Sequence, residues 1–158
     1  MAYNPGTSTA MTITAGSLAS GAYRSSAAVT SGTTNNTANI WLTINILTTA
    51  TAPSGNKQAL IYGYMSEDGT NYLGNSGTTD NVDGTDKALT ALGSPTGLYR
   101  IGTVQLNQGA AAVTAREVFD VLRIFGGVPR KWGFVIGNDA GTAFGGTVTA
   151  SYSESYYT

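Results

Sequence analysis

Histidine and cysteine are both missing from this sequence. Their absence excludes Ser-His-Asp and Cys-His nucleophilic sites, zinc sites built on those side chains, and the commonest general base near neutral pH. It also excludes disulfides, so the fold must stand on an apolar core. The chain has 158 residues, and a domain of about 150 residues buries roughly 70% of the surface its unfolded chain exposes. Charge is scarce as well. Asp, Glu, Lys and Arg make up 11% of the residues, against about 25% in ordinary globular domains. The net charge of −1 leaves no basic stripe to replace phosphate counterions, so a nucleic-acid partner is not expected. No apolar run approaches the ~20 residues that span a bilayer, and a membrane partner is not expected either. Met1–Gly6 does not read as a basic stretch leading into an apolar one, so a secretory leader is not expected.

Thr, Ser, Asn and Gly take the place of charge on the surface. Thr favours strands and the other three favour turns, so the bias is towards β structure before any pattern is read. Met1 to Ser20 holds only isolated apolar positions (Met11, Ile13, Leu18) and reads as an extended arm, adding at most an edge strand over Thr12–Ala15. Tyr23–Thr30 is a weak strand, and Ser31–Thr37 a loop. Asn39–Thr48 alternates cleanly, with Ile40, Leu42, Ile44 and Ile46 on one face and Trp41, Thr43, Asn45 and Leu47 on the other. Gln58–Ser66 alternates Leu60, Tyr62 and Tyr64 against Ala59, Ile61, Gly63 and Met65, apolar on both faces as in the middle of a packed sheet.

Gly74–Gly97 carries little periodicity. Only Ala88–Leu92 suggests a helical turn or short strand there, and a loop of this length is usually functional or mobile. Leu98–Asn107 is the next strand, with Ala110–Ala112 a connection. Thr114–Phe125 fits either a helix or a strand; the preferred reading is a strand to about Val121, then one helical turn into Gly126. Lys131–Asn138 alternates Trp132, Phe134 and Ile136 against Gly133, Val135 and Gly137. Asn138–Gly141 reads as the turn of a hairpin returning through Thr142–Tyr156, with Phe144, Val148, Ala150, Tyr152 and Tyr156 on one side. Six to eight strands separated by turns predict an all-β fold, an antiparallel β-sandwich or barrel over residues 21–158 behind an arm at 1–20.

Chemistry must come from carboxylates, Ser-Lys pairs or oxygen-ligated metals. Ser54-Gly55-Asn56-Lys57 matches the S-x-x-K pattern of penicillin-recognising enzymes, but it lies in a Pro-Ser-Gly-Asn turn with neither companion motif downstream. Glu67, Asp68, Glu117, Asp120 and Glu154 are the carboxylates from which a glycosidase pair would be drawn. Glu67–Tyr72 reads first as a β-turn. Asp80, Asp83 and Asp86 could offer oxygens to Ca²⁺, although their spacing of three is not that of an EF-hand loop. They equally fit a solvated loop. Trp41 and Trp132 lie within alternating strands and read as core or interface. Tyr152, Tyr156 and Tyr157 are candidates for a subunit contact, since Tyr is enriched at interfaces. Arg123, Arg130 and Lys131 form a small basic group suited to docking on an acidic shell. No cofactor is expected.

Several stretches resemble small structural proteins of tailed bacteriophages. Among them are Ser17–Gly21 running into Arg24–Val29, Ile40–Ile44, and Tyr64–Tyr72. The closest likeness is Phe125–Gly141, with Gly126-Gly127-Val128-Pro129-Arg130-Lys131-Trp132-Gly133-Phe134 at its centre. The resemblance covers about half the chain. It implies a virion protein made in the host cytoplasm and placed on the capsid exterior, most like a decoration (cement) protein with a jelly-roll-like sandwich. Such proteins bind the major capsid protein and bridge its subunits without catalysis, often as dimers or trimers. On this reading the arm becomes ordered on the shell, and removing Met1–Leu18 leaves a folded domain that binds capsids poorly. The alternatives are a carbohydrate-binding or host-recognition module of the fibre-tip kind and a tail or neck component.

Overall fold

The computed structural model describes residues 1–32, 37–72, 82–89, 98–106 and 112–158. Its strands are β1 (Tyr3–Asn4), β2 (Thr9–Met11), β3 (Tyr23–Ser25), β4 (Val29–Thr30), β5 (Thr37–Thr48), β6 (Gln58–Ser66), β7 (Lys87–Leu89), β8 (Tyr99–Gln105), β9 (Thr114–Asp120), β10 (Lys131–Asp139) and β11 (Phe144–Tyr157), with one short helix, α1 (Val121–Phe125). They form two antiparallel sheets. The five-stranded sheet runs β1-β11-β5-β9 with β2 also on β11, and the six-stranded sheet runs β7-β3-β10-β6-β8 with β4 also on β10. The sheets pack face to face as a β-sandwich, as the alternation predicts. This strand order does not by itself make a jelly roll, and sandwich is the name the fold supports.

The shared core is built from the inward stripes of the long strands. Ile40, Leu42, Ile44 and Ile46 of β5 meet Trp132, Phe134 and Ile136 of β10 and Ala59 and Ile61 of β6, all fully buried. A line of rings crosses it edge to face: Tyr99 to Phe125 at 5.3 Å, Phe125 to Trp132 at 6.2 Å, and Trp132 to Tyr152 at 5.6 Å. Such pairs add to plain burial because ring edges and faces carry opposite partial charge.

The outer face of the six-stranded sheet is covered too. Tyr64, Val82, Leu89 and Val135 form a second buried cluster, with Tyr23, Ala28, Tyr62, Tyr72 and Leu98 against it. Here Gly133 and Gly137 leave room on β10 that a side chain would take from the Tyr64 and Tyr23 rings. The Tyr64 hydroxyl donates to the Ser26 carbonyl at 2.6 Å, so its polar end is satisfied where it is buried. Burial with its apolar neighbours raises the Tyr64 pKa well above that of a free phenol. Val82–Leu89 therefore serves as cover for the sheet. That gives the described part of Gly74–Gly97 a structural task, and of the helical turn and the short strand expected at Ala88–Leu92 it shows the strand, at Lys87–Leu89 on β3. The rest of that segment lies outside the described residues.

Three expectations are corrected. Tyr23–Thr30 is two short strands, both on β10, broken where the Ser26 hydroxyl accepts from the Phe134 N–H at 3.1 Å. The edge strand of the arm falls at Thr9–Met11, not Thr12–Ala15. The third correction is the largest: β10 and β11 are not a hairpin. Both sides of β10 are occupied, by β6 and by β3 with β4, so the chain leaves the sheet after Asp139 and β11 pairs with β5 in the other one. Asn138 holds this crossing. Its side chain donates to Leu18 O (2.7 Å) and Thr142 O (2.8 Å) and accepts from Ala140 N–H (2.9 Å). Asn138→Ala removes all three bonds at a buried position and is expected to lower the unfolding free energy by about 2–3 kcal/mol in urea titration.

The mixed segment at 114–125 resolves as the sequence suggests. β9 ends at Asp120, whose side chain accepts from Arg123 N–H as the helix cap, and α1 closes at Gly126 in the left-handed conformation.

Candidate functional site

The inward stripe of β11 changes character along its length. Val148 and Ala150 are buried and apolar, Tyr152 is partly buried, and the next inward positions are Glu154 and Tyr156. These three side chains come out at one end of the sandwich, where they form one wall of a cleft of about 220 Å³. Thr7 and Thr9 of the arm and Thr30 and Gly32 at the end of β4 supply the rest. The arm reaches this place because it pairs with β11 on both sides of Glu154: Asn4 opposite Tyr156, and Thr9 opposite Tyr152. Between them Gly6 lies so close on the Glu154 backbone that any Cβ would collide with it.

Glu154 is half-buried. Its Oε2 accepts from Gly32 N–H at 2.6 Å, while Oε1 is out of solvent with no hydrogen-bond partner among the described residues. Among the described residues both ion pairs lie elsewhere, Arg24 with Asp86 at 2.6 Å and Lys87 with Asp83 at 2.8 Å. Desolvation accordingly raises the Glu154 pKa, only partly offset by the Gly32 N–H. A raised folded-state pKa means that the group's stabilising contribution is present below its unfolded pKa and is lost as pH climbs through the folded one. Glu154→Gln removes that loss. It is expected to make the protein more stable than the parent at pH 7 and equally stable near pH 4. Melting curves at the two pH values check this.

Several of the other carboxylates are committed to local structure. Asp68 accepts from the N–H groups of Thr70 and Asn71, the Asn71 amide and the Ser66 hydroxyl, which hold its pKa far below the ordinary value. That is the turn expected at Glu67–Tyr72. Asp120 caps α1. Glu117 is exposed on β9, apart from Glu154, and nothing pairs the two as glycosidase carboxylates. Of the Ca²⁺ candidates, Asp80 lies outside the described residues. Burial opposes ionisation of Asp83, but the Lys87 ammonium and the Thr85 donors prevail and bring its pKa down to about 2. Asp86 is likewise held ionised, against its desolvation, by Arg24 and the Thr14 hydroxyl. Among the described residues no three acidic side chains gather as for a metal. Ser54–Lys57 is a turn whose Ser54 and Gly55 N–H groups bond Ala140 O, at 2.9 and 3.2 Å.

The interface candidates divide. Tyr152 and Tyr156 meet in the cleft. Tyr157 is exposed and packs edge-on against Tyr3 at 5.6 Å. Arg123 is exposed on α1, while Arg130 directly precedes β10 and Lys131 opens it, with the Arg130 stem beside Gly69. Trp132 is core, and Trp41 is not: it stands on the outer face of the five-stranded sheet, 39% exposed. By register that face also carries Thr43, Val118 and Ser151 around it, with Asn45, Thr149 and Arg116 beyond. Val118 is 43% exposed. A second cleft, of about 330 Å³, lies at its far end between Asn45, Leu47, Thr114, Thr147 and Thr149.

Glu154 was visible in the sequence as one carboxylate among five. The signal that sets it apart is its place in the Val148–Tyr156 alternation, where an acid occupies an inward position. The fold defines a β-sandwich domain with a polar cleft at one end and a weakly charged sheet face. No protein-family profile matches the chain, and no curated protein matches it.

Proposed function

We propose that this chain is a non-enzymatic structural protein of a tailed-bacteriophage virion that decorates the capsid exterior and stabilises it by bridging major-capsid subunits. The observation that carries this reading is the outer face of the five-stranded sheet. Trp41 and Val118 stand exposed there among Thr, Ser and Asn side chains, with Arg116 and Asp120 the charged neighbours in register on β9. A face of hydroxyls and amides around an exposed indole buries without stranding ions, and Trp is the residue most enriched at energetic centres of interfaces. The sequence resemblance to phage structural proteins supports the same reading. The basic side chains Arg123, Arg130 and Lys131 then serve as rim contacts to an acidic shell.

The test is reconstitution. Purified protein is added to capsids that lack it, and its occupancy and position are read by electron microscopy. Trp41→Ser combined with Val118→Ser is expected to weaken capsid binding about tenfold or more while leaving the melting temperature within a few degrees. Undiminished occupancy overturns the assignment of this face. Binding at the tail or neck, or Ca²⁺-dependent binding to a glycan array without capsid binding, overturns the decoration reading itself.

A further inference from the structure

We infer that the cleft around Glu154 is a receptor for one protonated primary amine, the side chain of a lysine presented by a partner protein. The capsid reading bears only on which protein presents that lysine; the site stands on its own geometry. Four features of the cleft select the ligand. The first is its size: about 220 Å³ is below the roughly 300–1,000 Å³ of sites that enclose whole small molecules, and it suits a single side chain. The second is the carboxylate. Oε1 of Glu154 is out of solvent, so Oε2, which also accepts from the Gly32 N–H, is the one oxygen left to a ligand in the cleft. A guanidinium binds best as a two-pronged fork that uses both carboxylate oxygens, whereas an ammonium group is a point charge that needs one.

The third feature is the lining. An ammonium group has three donors and no acceptor. With one given to the Glu154 carboxylate, the others find acceptors among Thr7, Thr9 and Thr30, which line the cleft. Tyr152 and Tyr156 supply ring surface for the aliphatic stem and attract a cation. The fourth is charge: among the described residues no Lys or Arg is paired with Glu154, so the incoming cation compensates a carboxylate that the fold leaves uncompensated.

The experiment uses the full chain with ¹³C-labelled tyrosine and follows the ring signals of Tyr152 and Tyr156 by NMR. The probes are the N-acetyl methylamides of lysine, norleucine and arginine, and methyl glucoside. The lysine probe is expected to shift both rings saturably, and norleucine, which has the same stem without the charge, is expected not to. Glu154→Gln keeps the shape and the acceptor for Gly32 and should weaken lysine binding about tenfold. Thr9→Val, whose backbone pairing with Tyr152 is retained, should weaken it about threefold. Ring signals outside the cleft that superimpose on the parent protein's show that both variants are folded. Equal binding of norleucine, arginine or glucoside overturns the assignment, as does unchanged lysine binding in Glu154→Gln or no shift with any probe. A saturable lysine response in a protein that fails to bind capsids leaves this site standing and removes only the capsid as the partner.

Discussion

Trp132→Ala is expected to lower the free energy of unfolding by about 3–5 kcal/mol, the usual range for emptying a buried aromatic site. For a chain of this length that corresponds to a fall in melting temperature of about 10 °C or more. The size of the effect follows from where the ring sits. Trp132 is fully buried on the central strand of the six-stranded sheet, and its edge-to-face partners, Phe125 and Tyr152, belong to different parts of the fold. Phe125 ends α1 and Tyr152 stands on the opposite sheet. Removing the ring therefore opens a cavity between the sheets that no one strand can close by shifting. Trp132→Phe makes a sharper comparison. Among the described residues the indole N–H has no hydrogen-bond partner, so Phe loses some contact area but also removes a buried unsatisfied donor. Its cost is expected to be less than half that of alanine, measured by urea titration of both variants. Equal costs would show that the indole nitrogen is satisfied.

Deleting Met1–Leu18 is expected to cost more than any single substitution and to leave no cooperative unfolding transition. The sequence by itself suggested the contrary, that the arm is free until it meets a surface. In the fold, Met11 and Ala15 are buried in the shared core, with Ile13 and Leu18 packed against it. The backbone of the arm is engaged at many points. β1 and β2 pair with β11, Ala27 N–H bonds Thr12 O at 2.9 Å, and both Phe144 N–H and the Asn138 side chain bond Leu18 O. Removal would strip β11 of its cover and expose a long edge, which favours aggregation. Circular dichroism and size-exclusion chromatography read the outcome. A soluble, cooperatively melting product would show that the arm is an accessory, whatever its packing. A cut before Tyr3 serves as the control, because the core contacts of the arm begin at Met11.

The deletion also separates stability from recognition. Since the arm pairs within its own domain, loss of capsid binding on deleting it is no measure of contact with the shell. The substitutions at Trp41 and Val118, which stand on the outer face, carry that question instead.

Local pattern determined a good deal of this protein. The alternation of Ile40–Ile46, of Ala59–Met65 and of Trp132–Ile136 identified the strands, and for Ile40–Ile46 the inward face as well, because a pleated strand sends successive side chains to opposite sides. The strand-to-helix change near Asp120 was legible from the Thr114–Gly126 stretch, where a turn of apolar residues ends at a glycine. Which strands pair was not legible. The Asn138–Gly141 turn has the composition of a hairpin, yet β10 already has neighbours on both sides, so the turn crosses between sheets. Vacancy at a sheet edge belongs to the whole assembly of strands and leaves no mark in the turn.

The cleft was decided in the same way. Nothing near Glu154 in the chain indicates Thr7, Thr9, Thr30 or Gly32 as neighbours. They arrive because the arm lies along β11 and β4 ends opposite it. The sequence alone established a weakly charged β protein, rich in Thr, Ser, Asn and Gly, without histidine or thiol chemistry. Only the tertiary structure decided that the arm is part of the core, that Trp41 faces outward, and that one carboxylate oxygen is buried without a partner among the described residues. The reason is physical: side-chain alternation is a property of each strand, whereas burial and pairing depend on strands far apart in the chain.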